Sequence, residues 1–403
     1  MSGVKSASES TPAPAVKTGF WKTLPGKIFA SAASPSTMAV TDGIAQKAGG
    51  SYKSVEWIRN APFFFMHAAC LGAIWVGFSW AAAALALGFY VVRMFFITGF
   101  YHRYFSHRTF RASRPVQCLM AVCGLTCVQR GPLWWAAHHR HHHVHSDHEE
   151  DLHSPTLWGL LWSHMFWFTT EDALPTRSRY VRDLEKFPEL VWLNKYEMAV
   201  YIAFGCACFG LGCLMHALGW QPAGHPMGLE LGGYWHAGLQ ILVWAFFIST
   251  VMLYHGTYTI NSLSHIFGSR RFETTDTSRN NWLLSIVTMG EGWHNNHHHY
   301  QSSVRQGFYW YEWDPTFYTL KAMSWVGLVK DLRGVPDAIR KQAGRGVAAA
   351  AKPVKAVTET MSEAASTVTE AANSVGEAAS QVADQVADQV AQVVEKVAPK
   401  PAL

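Results

Sequence analysis

Nine histidines and one asparagine fall into four short motifs: His102 and His107 in HRYFSH, His139, His142 and His143 in HRHHH, Asn261 and His265 in NSLSH, and His294, His297 and His298 in HNNHH. Neutral imidazole suits iron, zinc, copper and nickel, so residue type alone leaves the metal open. Ligand number narrows the choice. A resting zinc site takes about four ligands, and this set exceeds that roughly twofold, which favours two redox metals with open coordination positions.

Each residue of a helix turns about 100°, so the i, i+3, i+4 spacing of His139, His142 and His143 keeps three imidazoles on one arc. His294, His297 and His298 repeat the arc, and the spacing predicts that each triplet faces one metal. Asn261 and His265 are four apart and share a face. His102 and His107 are five apart, about 140° on an ideal helix, which would let them serve two different ions.

The register is ambiguous from spacing alone, because His138, His141 and His142 spell the same pattern and His299 adjoins the last triplet. Asp147, Glu149, Glu150, Asp151 and Glu291 lie close enough in sequence to accept the second ring N–H of a ligand and fix its tautomer. Isolated histidines on apolar segments, among them His67, His216, His225, His236 and His255, read as structural.

The elements that must carry these motifs are apolar helices. Of 403 residues, 49% are hydrophobic and only 15% charged, against about 25% in an ordinary soluble domain, which places the chain among membrane proteins. Residues 63–92 carry no formal charge and read as two helices joined by a tight turn near Ser79. Further spans are expected over 198–218 and 234–254, giving four. Segments 116–128 and 157–168 are too short to cross and read as interfacial helices.

An even number of spans puts both termini on one side. Arg103, Arg108, Arg111, Arg114, Arg130 and Arg140 crowd that side, while the connection over 219–233 has no Lys or Arg. The positive-inside rule then makes the termini and every histidine motif cytoplasmic. The expected fold is an all-α membrane protein: four transmembrane helices under a cytoplasmic helical cap that holds a histidine-rich dimetal site.

Residues 1–50, rich in Ser, Ala, Pro and Lys, read as a disordered lead, residues 51–340 as the transmembrane domain, and residues 341–403 as an Ala/Val-rich amphipathic or disordered tail with a thin heptad stripe. The seven cysteines lack CxxC spacing and read as small apolar residues. A net charge of +5 without a long basic run gives no support to nucleic-acid binding.

HRYFSH, HRHHH, NSLSH and GEGWHNNHH, in this order with this hydropathy, resemble the membrane fatty acid desaturases, specifically the stearoyl-CoA (delta-9) branch, over about residues 55–332. The resemblance implies a diiron centre held by His102, His107, His139, His142, His143, His265, His294, His297 and His298, with Asn261 behind a water. It also settles the register at His139 and places Asp151 and His153, with Glu291, around the ligands.

The implied chemistry is O2-dependent removal of two hydrogens from a saturated acyl chain, with two electrons from a separate ferredoxin, rubredoxin or small cytochrome and its reductase. Arg140 and Arg279 match basic contacts to the substrate headgroup. Thr169, Thr170, Glu171 and Asp172 stand where coenzyme A users of this family tend to carry cations, so the acyl carrier is open between CoA and a lipid. A related hydroxylase or ketolase acting on an alkane, sterol or carotenoid is the alternative, since the same metal core can return oxygen to carbon. A metal transporter is disfavoured, because the spans hold few polar groups at mid-membrane.

Overall fold

The computed structural model describes residues 55–222 and 232–343. The segments expected as a disordered lead and, beyond residue 343, as a heptad-striped tail fall outside the described residues, as does His225. The fold is mostly helical, with one small ribbon in which β1 (Arg111–Ala112) pairs antiparallel with β2 (Val329–Lys330). That ribbon departs from the all-α expectation. It ties the segment after His107 to the far end of the chain, where Arg333 N–H also donates to the Thr109 carbonyl.

Among the described residues, three helices are long and apolar enough to cross a bilayer: α2 (Trp80–Ser106), α6 (Glu197–Ala217) and α7 (Gly233–His265). The apolar helix α1 (Ala61–Val76) has a 3₁₀ stretch in its middle. At 1.5 Å per residue α1 reaches about 24 Å, short of the roughly 30 Å hydrocarbon core. The turn between α1 and α2 falls at the expected place, with the Ser79 hydroxyl accepting from Ala82 N–H at 3.2 Å to start α2.

Two of the long helices run further than the sequence suggested. α2 continues through HRYFSH and α7 through NSLSH, each with a π-helical stretch, at 96–106 and 242–248. Deep in α2, Arg93 is held by Thr250 Oγ1 and Ser249 Oγ of α7, both at 2.7 Å, and by the Thr126 carbonyl. A buried guanidinium with satisfied donors locks the two ligand-bearing helices in one register.

The shorter helices include α3 (Arg114–Leu125), α4 (Pro132–His145), α5 (Pro188–Lys195), α8 (Trp282–Val287), α9 (His294–His299) and α10 (Pro315–Trp325). α4 begins with Pro132, and its free N–H groups at Leu133 and Trp134 are capped by Asn194 Oδ1 of α5 at 3.1 and 2.9 Å. A Cβ at Gly131 would sit 2.3 Å from that same oxygen, so only glycine fits. The loop entering α4 is strained at Val128 and Arg130, both at positive φ, and is held by Tyr254 Oη donating to the Val128 carbonyl at 2.7 Å. The segment 157–168, expected as one interfacial helix, is broken into short turns.

Candidate metal centre

The four motifs converge as two histidine sets. Ring nitrogens of His102, His107, His139, His143 and His297 lie within 4.8 Å of one another, as do those of His142, His265, His294 and His298. All nine histidines are used, five in one set and four in the other. His138 stays outside, its Nε2 3.1 Å from the Pro175 carbonyl, and His141 packs on Tyr180. His299 stacks on Phe272.

Neither triplet faces a single centre. His139 and His143 enter the five-histidine set while His142 enters the four-histidine set; His294 and His298 join the latter and His297 the former. The i, i+4 pairs stay together, and the i+3 member crosses to the neighbouring set. His102 and His107, expected on different sides, share one set. The reason is local: over 96–106 the chain winds as a π-helix, and His107 N–H donates to the His102 carbonyl five residues back.

The atoms that meet are lone-pair donors. His139 Nε2 lies 2.8 Å from His107 Nε2 and 3.0 Å from His143 Nε2. His297 Nε2 lies 3.0 Å from both His143 Nε2 and His102 Nε2. Burial, reinforced by neighbouring imidazoles, holds His107, His139, His143, His294 and His297 well below the ordinary histidine range, so these rings are neutral. A neutral ring has one proton, and where Nδ1 carries it the facing Nε2 atoms are all acceptors, an arrangement that suits a cation between them. His298 Nε2, buried without a protein partner on the face of the four-histidine set, fits the same reading.

The outer nitrogens find carboxylates. His142 Nδ1 lies 3.1 Å from Asp151 and His265 Nδ1 3.2 Å from Asp147, while His102 Nδ1 contacts Glu291 and His298 Nδ1 contacts Asp276. Burial opposes ionisation of Asp276, Asp151 and Asp147, but the adjacent imidazoles hold all three well below the usual carboxylate range. Three of the four carboxylates serve the four-histidine set, so the two sets differ in electronic surroundings as well as in ligand number.

Asp151 also accepts from the backbone N–H of His153 at 3.2 Å, and the His153 ring packs against His142 with centroids 4.3 Å apart. Glu291 is held by Arg103 at 3.0 Å and by Gln306 Nε2 at 2.7 Å, with Arg103 reaching on to Asp314. The GEG turn that presents Glu291 has Gly290 at φ 118°, and a Cβ there would stand 2.4 Å from Asp314 Oδ1. Asp276, Gln306 and Asp314 were not singled out from sequence. No motif marks them, because a carboxylate in a polar loop has no periodicity.

Asn261 is half-buried on α7, one turn before His265. Arg140 does not stand free for a headgroup. Its five N–H donors go to the carbonyls of Phe105, Ser106 and Tyr180 and to both oxygens of Asp183. Arg279 is less committed, donating from one nitrogen to the Gly268 carbonyl at 3.2 Å while its Nε has no partner among the described residues.

The sequence pattern of the fatty acid desaturase family matches residues 42–323, spanning every motif above. The chain belongs to the fatty acid desaturase family. This desaturase is 34% identical over 294 residues to delta-9 acyl-lipid desaturase 1 of Arabidopsis thaliana, covering 72% of this chain and 88% of that one. It is 32% identical over 284 residues to the sn-1 stearoyl-lipid 9-desaturase of Anabaena variabilis, covering 69% and 94%. An acyl-CoA 5-desaturase of Anemone leveillei is also 32% identical, over 304 residues, covering 72% and 86%. The desaturase is thus an oxidoreductase of acyl chains, and its converged histidines are compatible with a metal site.

Proposed function

We propose that this protein is a diiron acyl-lipid desaturase that introduces a cis double bond at the ninth carbon of a saturated chain. The observation that carries the reading is the division of nine imidazoles into sets of five and four. That donor set suits two irons, with Asn261 beside the smaller set to hold a water.

When bound, the irons supply the O2-derived oxidizing power that removes hydrogens from C–H bonds no side-chain base can ionise. The chain's own residues prepare the site. Asp147, Asp151, Asp276 and Glu291 accept the outer N–H of four histidines, which fixes the tautomer and aims Nε2 inward. Arg103, Gln306 and Asp314 hold Glu291 in place.

A lipid carrier is favoured over CoA because CoA brings three phosphates, while Arg140 has no donor left for them and Glu171 and Asp172 stand where cations would meet them. Arg279 is our candidate for the remaining headgroup contact. Of the relatives named above, two are named for lipid-linked substrates and one for an acyl-CoA. We place the protein in the bilayer with α1 as a fourth, tilted or locally thinned crossing, and with the histidine sets and termini in the cytoplasm. Residues 51–340 form the catalytic domain. O2 and a separate ferredoxin, rubredoxin or small cytochrome with its reductase complete the reaction.

Expression in a host unable to make unsaturated lipids, followed by mass-spectrometric location of any new double bond, tests the proposal. A bond at the ninth carbon in intact membrane lipids is expected. Product confined to the acyl-CoA pool, or a hydroxylated chain, would refute it.

A further inference from the structure

Desaturation has a proton and water balance that the acyl chain's own site cannot serve. Written out, –CH2–CH2– + O2 + 2 e− + 2 H+ gives –CH=CH– + 2 H2O: the carbons lose two hydrogens, dioxygen is reduced, and the donor supplies the electrons. Protons must reach the metals and water must leave on every turnover. A slot that holds hydrocarbon offers no hydrogen-bonding groups for either, so a polar route is required.

The structure has a cavity of about 350 Å³ that meets this need, walled by His107, His143, Ser106, Arg140, Gln301 and Ser302. Two of these are members of the five-histidine set. Val144 and Ser302, both exposed, form its rim, so the cavity opens to solvent.

A second observation points the same way. Within the five-histidine set His102 and His297 are buried, whereas His107 and His143, the two that line the cavity, are only partly buried. They reach it from different elements, His107 from the end of the π-helical stretch of α2 and His143 from α4. Arg140, with every donor engaged inside the protein, lends the wall polarity without a free cation to trap an anion.

We propose that this cavity is the solvent port of the five-histidine centre: it admits protons, water and small anions to the metal and releases product water. The port rests on the diiron reading above. Its mouth is crossed from two directions, by Ser302 after α9 and by Val144 on α4.

The test uses iron-loaded protein in detergent, with azide as the probe and its ferric absorption band as the readout. Ser302→Trp and, independently, Val144→Trp narrow the mouth at exposed positions, and Ser302→Ala is the control. Azide association is expected to slow about tenfold or more in either tryptophan variant, with iron content and acyl-lipid binding unchanged and the alanine variant behaving as wild type. Iron-loaded tryptophan variants that bind azide at the wild-type rate overturn the port while leaving the diiron reading intact. Purified protein that holds no iron overturns that reading, and the port with it.

Discussion

His142 and His143 are consecutive residues of α4 that belong to different histidine sets, with ring centroids 5.7 Å apart and planes at 65°. One helix therefore supplies both histidine sets. Substitutions at the two positions should separate the centres.

His143→Ala and His142→Ala should each lose about half of the bound iron and all turnover, but from different centres, since imidazole loss from a shared site lowers affinity for one ion. Metal analysis with Mössbauer spectroscopy distinguishes the two: the variants should retain different iron signals. Identical residual spectra would contradict the five-and-four division.

Asp276→Asn should lower iron affinity or activity by about 10–100-fold without unfolding the protein, as removal of a carboxylate behind a histidine ligand does elsewhere. His298 loses the anion that orients its Nδ1 proton. Titration with a competing chelator measures the shift, and an unchanged affinity would leave Asp276 with no role at the centre.

Arg103→Met removes the guanidinium that Glu291 and Asp314 share, leaving Glu291 with His102 and Gln306 and Asp314 with backbone donors alone. Breaking a buried ion pair from one side costs about 3–5 kcal/mol, so the variant should show a marked fall in Tm or fail to accumulate. Thermal unfolding in detergent checks this, with Arg103→Met/Asp314→Leu expected to recover part of the loss.

Arg140→Lys keeps the charge and loses the planar fork that grips three carbonyls and Asp183. The expected result is lower thermal stability by about 1–3 kcal/mol with KM for acyl-lipid unchanged. A raised KM at wild-type stability would return Arg140 to the headgroup.

Acid should destabilise the folded chain beginning near neutrality. Burial, with Arg177 adding to it, pushes His141 down to about 2 and places His138 well below the usual range. The unfolded chain binds these protons below about pH 6.5 and the folded chain does not, so stability is full above that pH and falls as pH drops, by at most about 1.4 kcal/mol per pH unit for each such histidine. His138→Gln keeps a donor for the Pro175 carbonyl and cannot titrate; its unfolding temperature should fall less steeply between pH 6.5 and 5.

Much of the chemistry was legible in the residues themselves. Histidines four apart on a helix share a face whatever surrounds them, so the pairs His139/His143 and His294/His298 stayed together. Apolar length likewise located the long helices and the turn at Ser79, because a run without charge has few other uses. Helix ends were less legible: α2 and α7 continue into their polar motifs, since imidazoles that meet partners on other elements need no exposure to water.

The allocation of ligands was decided only by the assembled structure. Two centres lying beside one helix can each claim a residue of the same triplet, and a π-turn can bring His102 and His107 together, neither of which spacing on an ideal helix foretells. Asp276 and Asp314 gained their places by approach from distant loops, and Arg140 lost its freedom to three carbonyls and Asp183. Sequence fixes which groups can bind a metal; tertiary packing fixes which of them share one, because that depends on distances between elements far apart along the chain.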